Sequence, residues 1–388
     1  MAQTFEDLFA SARIRNRVDK LVDQTDWELG YLNDRARRAG DGGLERPSTV
    51  IDELFPAMSY QSRQILVNKY KGNMVVASVM GPDDPLPAKR GKSEVTEERL
   101  TRTFIGCQHI WTHSEYEMLR DLELYAGQGP ENQATANAIE DHILGQAGMM
   151  PIALDAKHLI LLMHAATKGT FTYTDPLTGL EVKMTFNDTV AAQLPAAPGT
   201  LWNNIAATGL VQLEVLAEAY RATNGTKPPI LLIHYDELKD LSEQTATRAQ
   251  LAAAIGTDST NNANLYIPTN YSPSTYELEP GFLLDAIRAR TNVQKVCVFD
   301  AKFTEEDKNG NKTDDYFLPQ GYIMFGSPMM GERARLPFKE NNWNPGVRTL
   351  VEEINRMPKQ ESLKAMVAGV PFIPNGRKIC AQPVGATS

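Results

Sequence analysis

The chain has little cysteine and no long uninterrupted apolar stretch. Its 388 residues include three cysteines, Cys107, Cys297 and Cys380, which are odd in number and far apart. This spacing argues against a disulfide framework or a cysteine metal cluster and is typical of reduced cytosolic thiols. No stretch reaches the ~18 apolar residues that cross a bilayer, and the N-terminus lacks the apolar core of a signal peptide. We therefore expect neither a membrane span nor secretion.

Basic residues are too few for a protein that grips nucleic acid. Lysine and arginine total 39 against 48 aspartates and glutamates, which gives a net charge of −9. A nucleic-acid-binding protein normally carries the opposite sign, because its cations neutralise phosphates. An acidic chain can still surround DNA without holding it tightly.

Recognisable catalytic, nucleotide-binding and metal-binding motifs are also missing. The sequence has no G-x-x-x-x-G-K-[ST] loop and no G-x-G-x-x-G that opens a helix. An EF-hand alignment over residues 305–316 fails, because Tyr316 occupies the position of the bidentate glutamate, and Asn309-Gly310 favours a hairpin turn instead. His109 and His113 are predicted on one strand, ~13 Å apart and too distant to share a metal. We therefore predict no metal, no cofactor and no catalytic site.

His234 is the strongest candidate among the histidines. It follows a short apolar strand, a position where α/β enzymes place catalytic groups. The sequence offers it no nucleophile elbow, no cysteine partner and no identifiable orienting group. Position alone is a weak basis for catalysis, so an enzyme that uses His234 remains an alternative hypothesis. His158 and His164, on a predicted helix, are expected to be packing or surface residues.

The first third of the chain is predicted to be a charged arm followed by a long two-stranded arm. Residues 1–46 form a helical pattern whose apolar stripe is thin, so this segment needs a partner surface. Residues 59–67 and 73–80 are predicted as extended, with residues 100–113 as their return strand. The intervening residues 81–99 are rich in proline, glycine and charge, without regular structure. Such an arm is marginal alone and is expected to lie on another subunit.

A helix that leads into a hairpin occupies the middle of the chain, residues 158–186. The helix is predicted to stop at Lys168-Gly169, where glycine can adopt a left-handed conformation. Two short strands follow, joined by a turn at residues 175–179. Residues 132–148 are helical as well, and Pro151 leaves open whether the two segments form one bent helix or two.

Beyond a linker at residues 194–199, helices alternate with strands, a pattern typical of an α/β arrangement. The predicted helices are residues 204–223, 235–241, 246–255, 281–290 and 347–357. The predicted strands are residues 229–234, 294–302, a pair at 316–319 and 321–326, and a final hairpin across Asn375-Gly376.

Four stretches, in this order, resemble the lambda-type major capsid proteins of tailed phages, the capsid protein E family with the Hong Kong 97 fold. Residues 153–186 resemble the family's helix that ends at a Thr-Gly turn before an extended run. Leu201-Trp202-Asn203 resembles its Trp-Asp/Asn signature. Residues 296–326 are similar to its Y-x-x-Y-x-D-x-x-G segment, and residues 361–384 to its closing helix and strand. Each motif is weak alone, and the joint order carries the resemblance.

The resemblance implies an α+β Hong Kong 97-type capsid fold with an N-terminal arm, an extended E-loop, a peripheral domain with a long spine helix, and an axial domain. The implied divisions are 1–58 for the arm, 59–113 for the E-loop, 114–195 for the peripheral domain, 196–330 for the axial domain, and 331–388 for a return to the peripheral domain. The longer N-terminal arm and Pro151 in the spine depart from the family's pattern.

The function that the resemblance implies is a shell, without catalysis. Copies of the chain would form pentamers and hexamers that enclose double-stranded DNA in the virion, after assembly in the host cytoplasm. Cement, scaffold and portal proteins are the other expected partners, and no membrane is involved. Candidate intersubunit contacts are Lys89, Arg90, Lys92, Glu94 and Arg99. An encapsulin-like compartment is the alternative within the same fold, and we expect non-covalent interlocking of the subunits.

Overall fold

The computed structural model describes residues 45–62, 64–72, 93–101, 103–111, 133–169, 171–176, 179, 181–184, 195–249, 281–307, 309–356, 359–373 and 378–385. Helices α1 to α5 span Pro47–Leu54, Gln133–Lys168, Gly209–Asn224, Tyr235–Glu243 and Gly281–Thr291. Strands β1 to β15 span Ala57–Ser59, Gln64–Gly72, Ser93–Thr101, Thr103–Trp111, Phe171–Thr174, Glu181–Met184, Ile230–Ile233, Lys295–Val298, Lys302–Glu306, Lys312–Tyr316, Tyr322–Gly326, Glu332–Leu336, Val347–Arg356, Lys359–Phe372 and Ile379–Pro383.

The five-stranded sheet is organised around the long strand β14. Val367 of β14 pairs with Val347 of β13 on one edge and with Ile105 of β4 on the other. Further along the first edge, β12 takes the place of β13, with Glu332 opposite Phe372. β1 then adds to β12 in parallel. Segments from both ends of the described chain therefore meet in one sheet.

A four-stranded sheet has helices on both faces, and its strand order is β15-β11-β7-β8. All four residues of β7 are buried, as expected of a strand that is covered on two sides. Ile230 and Leu232 pack in a core with α1 and α2, whereas Leu231 and Ile233 pack in a core with α3 and α5. Successive side chains alternate between the two faces because strand side chains have a period of two.

The long helix α2 is continuous through Pro151. Residues Leu159–Met163 are almost fully buried between the sheets, which explains the apolar composition of this half. Gly148–Lys168 is long and apolar enough to cross a membrane by length and composition, with a mean hydropathy of 1.2 and 67% of its most apolar window buried inside the protein. That burial is typical of a core helix.

Two predicted helices are strands. The sequence predicts helices over residues 347–357 and in the closing segment from residue 361, but β13 and β14 occupy these positions. β14 contains good helix formers, among them Leu363, Lys364 and Ala365. It is nevertheless the central strand of its sheet, with partners on both edges. Pairing along both edges outweighs local propensity here.

The arm also differs from the prediction. Its return strand is β3, and residues 103–111, predicted as part of that return strand, form β4 in the five-stranded sheet. Residues 93–99 of the predicted irregular tip therefore belong to a strand. The rest of the tip, up to residue 92, lies outside the described residues.

Further boundaries differ in the second half of the chain. α3 begins at Gly209, because residues 202–206 form turns around the buried Trp202. Residues 294–302 are divided between β8 and the start of β9. The prediction that residues 316–319 pair with residues 321–326 is wrong, because β10 pairs with β9 while β11 pairs with β7 and β15. The final hairpin is wrong as well, because β14 and β15 belong to different sheets.

The helix and hairpin in mid-chain are confirmed. α2 ends at Lys168, Gly169 has a positive φ of 75°, and β5 pairs with β6 in an antiparallel hairpin. The predicted strand at β7 and the helices α4 and α5 are confirmed too. The predicted helical arm before residue 45 lies outside the described residues.

Candidate functional site: a two-stranded ribbon and the junction at its base

β2 and β3 form a two-stranded ribbon whose two legs are tied to the same sheet. On the first leg, β1 pairs with β12, and the backbone N–H of Tyr60 donates to the carbonyl of Arg335 at 2.9 Å. On the second leg, β3 ends at Thr101 and β4 begins at Thr103, in register with Gly369 of β14. Gly369 also pairs with Arg335. The two legs therefore reach the sheet at neighbouring positions.

The ribbon strands pair with each other and, among the described residues, with no other strand. Glu94 and Arg99 lie on β3, where their register partners are Lys71 and Leu66. The other three candidate contact residues, Lys89, Arg90 and Lys92, lie outside the described residues. Whether the five act together between subunits stays a prediction.

Arg333, on β12 near the ribbon base, joins three elements. Its side chain is fully buried, and its guanidinium forms an ion pair with Asp155 of α2. It also donates to Asp52 Oδ1 of α1 at 2.9 Å and to the carbonyl of Phe55 at 2.8 Å. A buried charge with several partners is costly to disturb, because removing one partner leaves the other uncompensated. We call Arg333, Asp155 and Asp52 the ionic junction.

Burial shifts the pKa values of the groups in and around the ionic junction. Burial raises the pKa of Asp155 to about 6, although the charge of Arg333 acts in the opposite direction. Burial also lowers the pKa of His158 to about 4, with Arg333 as the second cause. His158 is therefore neutral at neutral pH. Arg335 adds a second cation, with its Nη2 3.5 Å from Asp155 Oδ1.

Gly369 allows α2 to approach the ribbon base closely. The imidazole of His158 lies directly against its Cα, and a Cβ at this position would overlap that ring. Any other residue would force the buried ring of His158 to shift, so packing favours glycine at this position. His158 is 1% exposed, which confirms a packing role for this histidine.

The hairpin formed by β9 and β10 contacts the long helix α2. Lys157 of α2 binds Glu305 of β9, with Nζ 2.6 Å from Oε1, and Asp175 at 3.3 Å. At the tip, Asp307 accepts the backbone N–H groups of Asn309 and Asn311, and Gly310 has a φ of 80°. The predicted Asn-Gly hairpin is therefore confirmed.

His234 is enclosed, and both of its ring nitrogens face oxygen atoms. Nε2 lies 2.8 Å from the carbonyl of Leu318, which can only accept, and Nδ1 lies 3.2 Å from Asp300 Oδ1. The side chain is 3% exposed, so neither nitrogen is available to take a proton from a substrate. The interactions instead tie the end of β7 to the root of the hairpin formed by β9 and β10.

The protonation of His234 predicts a pH dependence. Burial acts to lower the pKa of His234, but the hydrogen bond to Asp300 and the charges of Glu237 and Asp300 outweigh it, so the pKa is raised. A raised folded pKa gives stability that is complete below the unfolded value of ~6.5 and is lost as pH rises through the folded value. His234→Gln should lower the free energy of unfolding by about 1–3 kcal/mol at pH 6. The difference from the unmodified chain should shrink at pH 8.5.

Urea unfolding at the two pH values measures this difference. A difference that is equal at pH 6 and pH 8.5 would show that folding does not raise the pKa of His234. A variant as stable as the unmodified chain at pH 6 would show that the two hydrogen bonds contribute little.

Trp202 fixes the start of α3. Its backbone N–H donates to the carbonyl of Val384 at 2.9 Å, and its indole donates to Gln212. Gln244 accepts the N–H of Gly209 at 2.7 Å and donates to the carbonyl of Trp202 at 3.2 Å. The Trp-Asn motif of the sequence resemblance is therefore a structural anchor.

No family model and no curated protein matches the chain, but solved structures do. One is a protein described as a prophage capsid protein of Escherichia coli CFT073, 14% identical, with a TM-score of 0.50, covering 94% of this chain and 99% of its own. A virus-like particle from Pyrococcus furiosus is 11% identical, with a TM-score of 0.41 and coverage of 96% and 99%. The capsid of Myoviridae phage XM1 is 9% identical, with a TM-score of 0.41 and coverage of 84% and 86%.

The similarity to the E. coli protein extends over nearly the whole of both chains. The two proteins therefore share an overall fold, and the similarity is not limited to one motif. The protein has the α+β fold of Hong Kong 97-type capsid proteins. This confirms the fold that the sequence resemblance implies.

The sequence reasoning missed the partners of the buried polar residues. Asp300 had a detectable signal: β7 and β8 are parallel, with Ile233 opposite Val298, so the residues that follow them meet at one edge. The pairing of Arg333 with Asp155 had no such signal, because it joins distant positions in two different kinds of element.

Proposed function

We propose that this chain is the major capsid protein of a tailed phage. Its copies form pentamers and hexamers that close into an icosahedral shell around double-stranded DNA. The Hong Kong 97-type fold supports the class of protein. The observation that carries the proposal is the two-stranded ribbon, because a ribbon of this kind is marginally stable without a surface to lie on.

The sequence of the ribbon supports contact with neighbouring copies. Antiparallel partners share a face of a ribbon, and the register pairs Ile65 with Leu100 and Tyr70 with Val95. These two pairs are separated by an odd number of positions, so they lie on opposite faces. Apolar residues on both faces favour a ribbon that is covered from both sides. Arms that gain stability only on a neighbour make assembly cooperative.

We assign a structural role to each of the ranges that the resemblance implies. In this proposal, residues 59–113 are the E-loop that reaches a neighbour, 114–195 hold the spine helix of the peripheral domain, and 196–330 are the axial domain at the capsomer centre. Residues 331–388 return to the peripheral domain and also supply β15 to the four-stranded sheet. Residues 1–58 begin with the arm, which clasps a neighbour or faces the DNA.

The acidic net charge of the chain is consistent with a shell that encloses DNA. The net charge of −9 keeps an inner wall from trapping the DNA that it encloses. Lys89, Arg90 and Lys92, together with Glu94 and Arg99, are proposed to pair with charges on an adjacent subunit. The shell would assemble in the host cytoplasm with scaffold, portal and cement proteins as partners, and would end in the virion.

An encapsulin-like compartment is the second candidate within this fold. It would enclose protein cargo instead of DNA, so the contents of purified particles separate the two. An α/β enzyme that uses His234 is disfavoured, because both ring nitrogens of His234 are engaged inside the protein.

Electron microscopy of the purified chain tests the proposal. We expect closed shells, or the rings and tubes that misassembled shell proteins form, in a concentration-dependent manner. Particles from phage-producing cells should contain double-stranded DNA, detected as nuclease-resistant nucleic acid. A chain that remains monomeric at high concentration would contradict the proposal, and particles filled with protein cargo would favour the compartment.

A further inference from the structure

Helix α3 carries apolar residues on two opposite faces. Its buried face, which includes Leu213 and Tyr220, packs on the four-stranded sheet with α5. Its outer face presents Val211 and Val215, which are 40% and 62% exposed, and Ile205, in the turns before the helix, is 60% exposed. The exposed Ala219 and Ala222 continue this face towards the end of the helix. We call these five residues the outer stripe.

The charges beside the outer stripe are already neutralised within the chain. Glu214 pairs with Arg290 at 2.7 Å, and Glu218 pairs with Lys227 at 3.1 Å and Arg221 at 3.3 Å. An apolar centre with a polar rim is the usual anatomy of a protein interface. A partner therefore need not supply a compensating charge.

We propose that the outer stripe of α3 contacts a second copy of this chain inside the assembled shell, an inference that rests on the proposed function. Two copies with a net charge of −9 each repel one another, so they meet most favourably where the surface is uncharged. A few exposed side chains cover far less than the ~800 Å² per partner of a stable free complex. Such a contact is effective only where many form at once, as in a closed ring of copies.

The ring arrangement also determines which surfaces of two copies meet. In a ring of copies the interface is heterologous, so the outer stripe of one copy meets a different surface of the next copy. A pair of free copies joined stripe to stripe would be isologous and would stop at a dimer. The proposal therefore predicts contact in the particle and none in the free chain.

Substitution of Val215 by aspartate tests the contribution of the stripe. Val215 is exposed, so Val215→Asp should leave the circular dichroism spectrum and the melting temperature unchanged. The yield of particles should fall at least about tenfold, since burying an unpaired charge at each contact costs more than 1.4 kcal/mol. Thr226→Asp, which adds the same charge at an exposed position just after α3, should assemble like the unmodified chain.

A photo-crosslinking amino acid at position 215 measures the contact directly, even if the aspartate variant fails to fold. Crosslinks between two copies are expected in particles and not in the unassembled chain, whereas a crosslinker at position 226 should give none. Crosslinks within one chain would overturn the inference, as would normal assembly of Val215→Asp. Those results would leave the proposed function intact. Failure of the unmodified chain to form particles would overturn both.

Discussion

Replacing Arg333 with methionine is expected to lower the free energy of unfolding by about 3–5 kcal/mol, the usual cost of breaking a buried ion pair from one side. The substitution leaves Asp155 buried without its closest cation and removes the hydrogen bonds to Asp52 and Phe55. Denaturant unfolding followed by far-ultraviolet circular dichroism measures the loss. The effect is large because one side chain joins α1, α2 and β12.

Two matched variants test whether the cost comes from an unpaired buried charge. Asp52→Asn weakens an ion pair in which the Asp52 side chain is 63% exposed, so it should cost less than about 1 kcal/mol. Arg333→Met combined with Asp155→Leu removes both buried charges and should recover part of the stability. An Arg333→Met variant within about 1 kcal/mol of the unmodified chain would contradict a stabilising ionic junction.

Excising the ribbon is expected to abolish shell formation while leaving the rest of the chain folded. Gln64 and Thr101 are register partners, so an Asn-Gly turn in place of residues 65–100 can close the strands at this pair. Because β1 and β4 keep their own partners in the five-stranded sheet, the sheet should remain. Sedimentation analysis and electron microscopy should then show free chains or isolated rings, with no closed shells.

A smaller excision is the control for this experiment. Gly72 and Ser93 are the last register partners at the outer end of the ribbon, so an Asn-Gly turn in place of residues 73–92 removes the tip and keeps both strands. If the tip-less chain assembles and the ribbon-less chain does not, the strands carry the contact. If only the tip matters, the candidate charges Lys89, Arg90 and Lys92 gain support. Normal shells from the ribbon-less chain would contradict the role of the ribbon.

Local patterns in the sequence predicted the local elements of the fold. The helix stop at Gly169, the turn at Asn309-Gly310 and the apolar strand β7 are each specified by neighbouring residues, and all three are confirmed. The fold class itself followed from the order of several weak motifs. These features need no information about distant parts of the chain.

Long-range pairing accounts for the errors. β14 contains good helix formers, and it is a strand because it pairs with β4, from a distant part of the chain, as well as with the nearby β12 and the adjacent β13. The same limit applies to the candidate site. The register of the ribbon and the ion pair between Arg333 and Asp155 are determined by three-dimensional proximity, which spacing along the chain does not encode.

The pairing of β14 with β4 has a consequence for the order of events during synthesis. Thr103 at the base of the ribbon pairs with Gly369, near the end of the chain. A ribosome releases residues 103–111 long before the strand that holds them exists, and pairing between such distant segments forms late in folding. An unfinished chain therefore cannot present an anchored ribbon to its neighbours. Truncated products would be kept out of a growing shell by this dependence alone.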